Sequence, residues 1–345
     1  MDISILIPTY ARPNAINNCL NALAQQTVLQ DKSKQIEIII AIDGPESQTP
    51  TPPIPQQLSH ITALTRHPRS GYIKLRHEMQ LQARGKVILW LNDDAYAQHD
   101  LIETHLDMHA KNEPCVIAGA ADWKAIDPSQ QPSLFDLLVQ QSDLVFFKDA
   151  QRTGTPRQTN YRNCYGLNMS FPRDLANQAG GIPPLEDIYG YDDIEIAFRL
   201  QRAGAAIIAA PHARVVHDHR MKPVDVHRRE YRLGYAAWFY ARLKPSFAAD
   251  LFNTDITDSG YLEQLKRAQN LSFRDALRIE ESFLNLETLS PDSITADPNQ
   301  RQQLLDTLAQ HWIPLKRYLW RRGLLHAAQD HPPSWSLLRD QPDDQ

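Results

Sequence analysis

Ile36-Glu37-Ile38-Ile39-Ile40-Ala41-Ile42-Asp43 is apolar at every position except Glu37 until it stops on an aspartate. A strand exposed on one face would alternate polar and apolar residues. A near-continuous run instead fits a strand covered on both faces, as in a parallel sheet. Working outward, residues 3–7 form a short β-branched run closed by Pro8. Ile16, Cys19, Leu20 and Leu23 then recur at helical spacing behind Pro13-Asn14, which reads as a helix start. Downstream, the Pro-rich stretch 50–55 is a loop. Residues 61–64 form a weak third strand, and Tyr72, Leu75, Met79 and Ala83 form a helical stripe that ends at Gly85. Residues 87–91 read as a fourth strand, 101–109 as a helix and 116–118 as a fifth strand. Strand and helix alternating in this order predict an α/β fold with a mostly parallel, doubly wound sheet.

The second half is less regular. Residues 122–163 show no clear period and are expected to form loops and short elements. Residues 167–171 read as a strand, 192–203 as a helix stopped by Gly204, and 206–209 and 213–216 as two short strands. Residues 228–243 are helical in pattern. Beyond Pro245 come helix-forming segments at 261–287 and 299–328 and a Pro/Asp-containing tail expected to be mobile. The expected division is a sheet domain over 1–245 and a mainly helical extension over 246–345.

Composition removes several function classes. At 345 residues the chain exceeds what one hydrophobic core usually supports. It is 42% apolar and 22% charged, as soluble globular proteins are. Thirty-six basic against 41 acidic side chains leave a net charge of −5, which argues against a nucleic-acid binder. Three widely spaced cysteines form no disulfide framework or zinc motif and point to a reducing compartment. No run reaches the roughly 18–20 apolar residues of a membrane span. The opening MDISILIPTY lacks the basic region and cleavage site of a signal peptide. A cytoplasmic location, with contact to the inner face of a membrane left open, is expected.

In doubly wound sheets ligands bind beyond the carboxyl ends of the strands. Thr9-Tyr10, Asp43 and Asn92-Asp93-Asp94 therefore face one crevice. Adjacent carboxylates behind a buried strand repel each other, and a divalent cation is a natural counter-charge; the plain alternative is a solvated turn. Gly190-Tyr191-Asp192-Asp193-Ile194-Glu195 opens a helix, where acidic residues also suit the helix dipole. Asp193 falls on the stripe of Ile196, Ala197 and Leu200 and is expected to face inward, as a general base does. Asp192 falls with Glu195 and Arg199 on a polar face, as a capping or supporting residue. Val215-Val216-His217-Asp218-His219 ends a strand with two imidazoles. His217 is the stronger metal-ligand candidate and His219 the weaker, each with the alternative of an exposed loop histidine among thirteen histidines. Arg66, Arg69 and Arg76 are candidates to meet a diphosphate.

Taken in order, these segments resemble the family 2 glycosyltransferases. Ile5-Leu6-Ile7-Pro8-Thr9-Tyr10 resembles the family's opening strand and turn, with Ala11 where Asn is usual. Residues 38–44 resemble its acidic strand end, with Ile42 and Pro45 replacing an Asp and a Ser. Arg76-His77 with Ala83-Arg84-Gly85, and residues 87–94 with Asn92 in the first place of a DxD motif, follow. Residues 165–171, Gly180-Gly181 and the helix 190–204 complete the match, which spans about 1–240. The resemblance implies a GT-A fold, an inverting transfer from a nucleotide sugar, most commonly a UDP-sugar, and Mn²⁺ or Mg²⁺ on the diphosphate. It implies Asp193 as base, Asp94 and His217 as metal ligands, and Thr9, Tyr10, Asp43, Arg76, Asp93 and Asp192 around the substrates. The acceptor would be a glycan, a lipid-linked sugar or a polysaccharide precursor. Alternatives are a non-catalytic nucleotide-sugar-binding module of the same fold and a metal-dependent hydrolase built on His217-Asp218-His219. At 311–329 apolar residues alternate with Lys316, Arg317, Arg321 and Arg322. This reads as an amphipathic helix, with Pro314 in its first turn, that either packs internally or meets anionic lipid.

Overall fold

β1 (Ile3–Thr9) and β2 (Ile36–Asp43) run parallel, from Ile3 opposite Ile36 to Thr9 opposite Ile42, in a computed structural model. It describes residues 1–112, 114–127, 129–142, 144–145, 154–183, 188–294 and 297–336. All eight residues of β2 are buried, Glu37 included. Glu37 is tolerated there because its carboxylate accepts from Ser4 Oγ at 2.5 Å and from the Arg84 backbone and side chain at 2.6 and 2.9 Å. Following the chain, the elements that carry the site are α1 (Pro13–Leu23), β3 (Thr62–His67), α2 (Tyr72–Gln82), β4 (Val87–Leu91), β5 (Ala95–Ala97), α3 (Leu101–Lys111) and β6 (Cys115–Trp123).

Among the described residues the sheet has nine strands. With β7 (Arg157–Gln158), β8 (Asn168–Pro172) and β9 (Ala206–His217), its order is β3-β2-β1-β4-β8-β6-β9-β5, β7 pairing separately with β9. The β3-β2-β1-β4 block is parallel, as is β6 with β9, while β8 lies antiparallel between β4 and β6. The mostly parallel α/β sheet expected from the apolar runs is therefore present. Its strands end at Thr9, Asp43 and Leu91, so the polar residues that follow share one edge.

The sheet departs from expectation in one detail. Residues 206–209 and 213–216 are one strand, β9. Pro211 interrupts its period, and the register with β6 jumps where Ala210 faces Gly119 and Arg214 faces Ala120. Proline without an N–H is accommodated at such a bulge. Asn168 Nδ2 bridges the carbonyls of Ala120 and Ala213 at 3.0 and 2.9 Å, and Nε2 of buried His105 lies 2.9 Å from Asn168 Oδ1. Gly119 is required here, because a Cβ would lie 2.2 Å from Asn168 Nδ2. Residues 122–163, expected to form loops and short elements, hold a short helix, α4 (Leu134–Gln141). Ser133 and Asp136 cap it reciprocally.

By contacts the chain forms two units. One comprises Met1–Lys124, Asp149–Ile188 and Asp192–His219; the other comprises Ala125–Lys148, Tyr189–Tyr191 and Arg220–Gln345. The first unit also contains α5 (Arg173–Gln178) and α6 (Asp192–Arg202). The second adds α7 (Pro223–Leu243), α8 (Pro245–Phe252), α9 (Ser259–Asn285) and α10 (Pro298–Ala328). Helices α7 and α10 cross at two glycines. A Cβ on Gly234 would lie 1.8 Å from the Trp320 carbonyl oxygen, and one on Gly323 would lie 2.0 Å from that of Tyr231. Pro314 lies inside α10 rather than in a first turn, because the helix already starts at Pro298 behind the Asp297 cap. Trp312, Leu315, Leu319 and Leu324 are buried, and Trp312 stacks on His227 at 5.2 Å. These residues of the stripe at 311–329 are thus used in internal packing. Among the described residues, no helix is long and apolar enough to cross a membrane. The tail beyond residue 336, expected to be mobile, lies outside the described residues.

Candidate active site

The turn after β4 gathers the acidic groups. Asn92, Asp93 and Asp94 lie between β4 and β5, and β5 runs antiparallel to β9 with Ala95 opposite His217. The ladder continues as the Asp218 amide donates to the Asp94 carbonyl at 2.8 Å. That pairing carries both histidines to Asp94. His217 Nε2 lies 3.6 Å from Asp94 Oδ1, and His219 Nδ1 lies 3.5 Å from Oδ2. One donor atom from each of Asp94, His217 and His219 falls within 4.8 Å of the others. Among the described residues, Asp94 Oδ1 is buried without a hydrogen-bond partner. Sequence reasoning ranked His219 below His217; the two rings stack at 5.6 Å and face the same carboxylate.

Asp93 and Asp94 differ in environment. Thr9 Oγ1 donates to Asp93 Oδ2 at 2.7 Å, so Thr9 fixes this carboxylate from the end of β1. Burial pushes the Asp93 carboxyl up, Arg12 opposes the shift and the Asp94 charge adds to it. Burial acts on Asp94 in the same direction, but His217, His219 and Arg12 outweigh it and hold Asp94 well below the usual carboxylate range. Arg12 was not foreseen. Its Nη1 contacts Asp94 Oδ2 and lies 3.3 Å from Asp93 Oδ1. The available signal was a cation three residues past β1, the strand paired with β4.

Asp43 is buried at the end of β2. It accepts from the amides of Ser70 and Gly71 at 2.7 and 3.1 Å and from Arg69. Arg69 lies over the ring of Tyr10 at 3.9 Å, and Tyr10 is itself 36% exposed. Arg66 turns instead to the carbonyls of Gly44 and Thr49, both at 2.9 Å. The three candidate arginines therefore part company, and only Arg76 reaches the start of α6.

That start corrects the helical-wheel reading. Asp192 was expected on a solvent-facing polar face. It is buried, because this face lies against α2: Tyr72 donates to Asp192 Oδ1 at 2.8 Å and Arg76 to Oδ2 at 2.7 Å. The Arg76 guanidinium also donates to the Gly166 carbonyl at 2.8 Å and to Asn92 Oδ1 at 3.2 Å, and it lies 4.2 Å over the Trp90 ring. Asp193, the next residue, is half-buried and, among the described residues, accepts from two amides: Gly166 at 3.0 Å and Ile194 at 2.8 Å. Burial, reinforced by the neighbouring Asp192 charge, pushes the Asp193 carboxyl up to about 6. A carboxylate with that proton affinity suits proton abstraction near neutral pH. One guanidinium thus joins the Asn92 turn to the helix start that presents Asp193.

A sheet with this order, acidic turns at its carboxyl edge and helices beside it, is the GT-A fold of sugar-transferring enzymes. Residues 4–171 match the model of glycosyl transferase family 2. It is 25% identical over 288 residues to the glucosyl-dolichyl phosphate glucuronosyltransferase of Haloferax volcanii, covering 79% of this chain and 87% of that one. Among solved structures it resembles the mannosyltransferase PcManGT of Pyrobaculum calidifontis, described in complex with GDP-Man and Mn²⁺. The TM-score is 0.55 at 15% identity, over 95% of this chain and 87% of that one. S. aureus TarS 1–349 in complex with UDP-GlcNAc gives a TM-score of 0.50 at 14% identity, over 96% and 93% of the two chains.

Proposed function

We propose that this chain transfers a sugar from a nucleoside-diphosphate donor, UDP-linked in the first instance, to an acceptor hydroxyl, with inversion at the anomeric carbon. The observation that carries the reading is Asp193: a half-buried carboxylate pushed up to about 6 and bonded, among the described residues, to two amides. Asp193 takes the proton of the acceptor hydroxyl as that oxygen attacks the anomeric carbon, and the bond from that carbon to the diphosphate oxygen breaks on the opposite face. Arg76 and Asp192 hold the helix start that aims Asp193. Tyr10 and Arg69, beside Asp43, offer a stacking and charged surface for the nucleotide.

Asp94, His217 and His219 would hold a divalent cation, and the orphaned Asp94 Oδ1 fits one. The bound ion supplies Lewis-acid neutralisation of the departing diphosphate. Two imidazoles beside one carboxylate favour Mn²⁺ over Mg²⁺, which prefers oxygen ligands. The solved relative named with Mn²⁺ supports this reading, and the dolichyl-phosphate relative supports a lipid-linked acceptor. No observation favours the non-catalytic module or the hydrolase.

The test is thermal unfolding with a panel of nucleotide sugars with and without Mn²⁺, followed by transfer assays with the donor that binds. A donor at 100 times its Kd stabilises the native state by about 2.7 kcal/mol. A panel in which no donor shifts the transition, with or without Mn²⁺, overturns the reading.

A further inference from the structure

We infer that Arg12 is a displaceable counter-ion of the cation site, occupying the charge position between Asp93 and Asp94 and leaving it when a divalent cation binds. This inference rests on the metal reading of Asp94, His217 and His219 given above. Two adjacent carboxylates, both more than nine-tenths buried, require a compensating charge to persist in the fold. Among the described residues, the cationic side chains paired with them are Arg12 and, when protonated, the two histidines. Arg12 binds Asp94 through Oδ2, the oxygen that also faces His219, while Oδ1 has no hydrogen-bond partner. A divalent ion drawn to that carboxylate would therefore meet a guanidinium already on it, and two cations sharing one oxygen repel each other.

The backbone and exposure of Arg12 suit a side chain that moves. Ala11 holds a left-handed conformation, φ +52°, and its amide is tied to Thr49 Oγ1 at 2.9 Å, so the backbone before Arg12 is anchored. The Arg12 side chain is 48% exposed, against 4% for Arg76. Withdrawing Arg12 into solvent moves a side chain that is already half-exposed, whereas withdrawing Arg76 would empty a core position. One arginine is thus a fixed tie and the other a removable charge.

The experiment is Mn²⁺ titration of the full chain, without donor, followed by the electron paramagnetic resonance signal of free Mn²⁺. The proteins are the wild type, Arg12→Gln, Arg12→Lys and Asp94→Asn. Arg12→Gln is expected to bind Mn²⁺ about tenfold more tightly than wild type, with Arg12→Lys near wild type and Asp94→Asn much weaker. In metal-free buffer Arg12→Gln is expected to melt below wild type, and saturating Mn²⁺ to close that gap. A residue that merely ordered the turn would act with the opposite sign, weakening Mn²⁺ binding when removed. Equal or weaker binding by Arg12→Gln, or a melting gap that persists in saturating Mn²⁺, overturns the inference alone. If Mn²⁺ binds none of the four proteins, or binds wild type and Asp94→Asn equally, the metal reading fails and takes this inference with it.

Discussion

Arg76 donates to Asp192 at 2.7 Å with the two side chains only 4% and 8% exposed. The pair joins α2 to the start of α6, and the remaining donors of Arg76 reach Gly166 and Asn92. Breaking one side of a buried pair leaves the other charged and unsatisfied, at a cost of ~3–5 kcal/mol. Arg76→Met is therefore expected to lower unfolding stability by that amount in urea denaturation. Arg76→Met/Asp192→Leu is expected to recover much of the loss while remaining inactive, because Asp193 is no longer aimed. A double variant no more stable than Arg76→Met would show the pair to be unimportant to the fold.

Asp193→Asn keeps the shape of the side chain and removes its basicity. A general base contributes ~10²–10⁴ in rate. The expected loss in kcat is of that order, with the donor Kd, measured by calorimetry, within about threefold of wild type. An unchanged transfer rate would remove Asp193 from the chemistry.

The Asp193 carboxyl, at about 6 in the fold, lies above its ordinary 3.8, so folding favours its protonated form. The stabilisation this gives is complete below pH 3.8 and is lost as pH rises through about 6. The melting temperature of Asp193→Asn relative to wild type should therefore rise between pH 4 and pH 8. The transfer rate of the wild type should climb with pH and level off above about 6. In Asp192→Asn the acid limb should move to lower pH, since a negative neighbour is gone and Arg76 is left facing Asp193. A limb that moves to higher pH contradicts this electrostatic account.

Gly234→Ala forces a methyl into a gap of 1.8 Å beside the Trp320 carbonyl. Backbone atoms cannot yield as a flexible side chain does, so a loss of about 3 kcal/mol or more is expected. Urea unfolding of the variant measures it. Gly204→Ala is the contrast: a Cβ there meets nothing within 4 Å, and the expected cost is that of its φ, +98°, alone.

How much of this was legible in the sequence follows from the range of each interaction. Strand β2 was plain because burial on both faces writes itself into consecutive residues. Strand β9 was read as two pieces because Pro211 breaks the alternation, and only its register with β6 restores continuity. Helix α4 carried a local signal, Ser133 three residues before Asp136, that the missing period obscured. At α6 the stripe of Ile196, Ala197 and Leu200 set Asp193 inward and Asp192 outward, yet Asp192 is buried and Asp193 half-buried. It misjudged what Asp192 faces, because the partner, Arg76, is 116 residues away in the chain. Arg12 and Asp94, 82 residues apart, meet only because β1 and β4 are neighbours in the sheet, which no local pattern reports.

Strand β9 delivers His217 at the end of twelve residues that begin beside Cys115 and finish beside Trp123 and Ala95. Since successive side chains leave opposite faces, the direction of that imidazole is a matter of parity. Between Ala210 and Arg214 the strand takes three residues where β6 takes none. A gain or loss of one residue in that detour would hand the ring to the wrong face without altering a single amino acid of the site. The count of residues at Pro211 thus governs the direction of that imidazole from a distance, as the length of a lever governs where its tip lands.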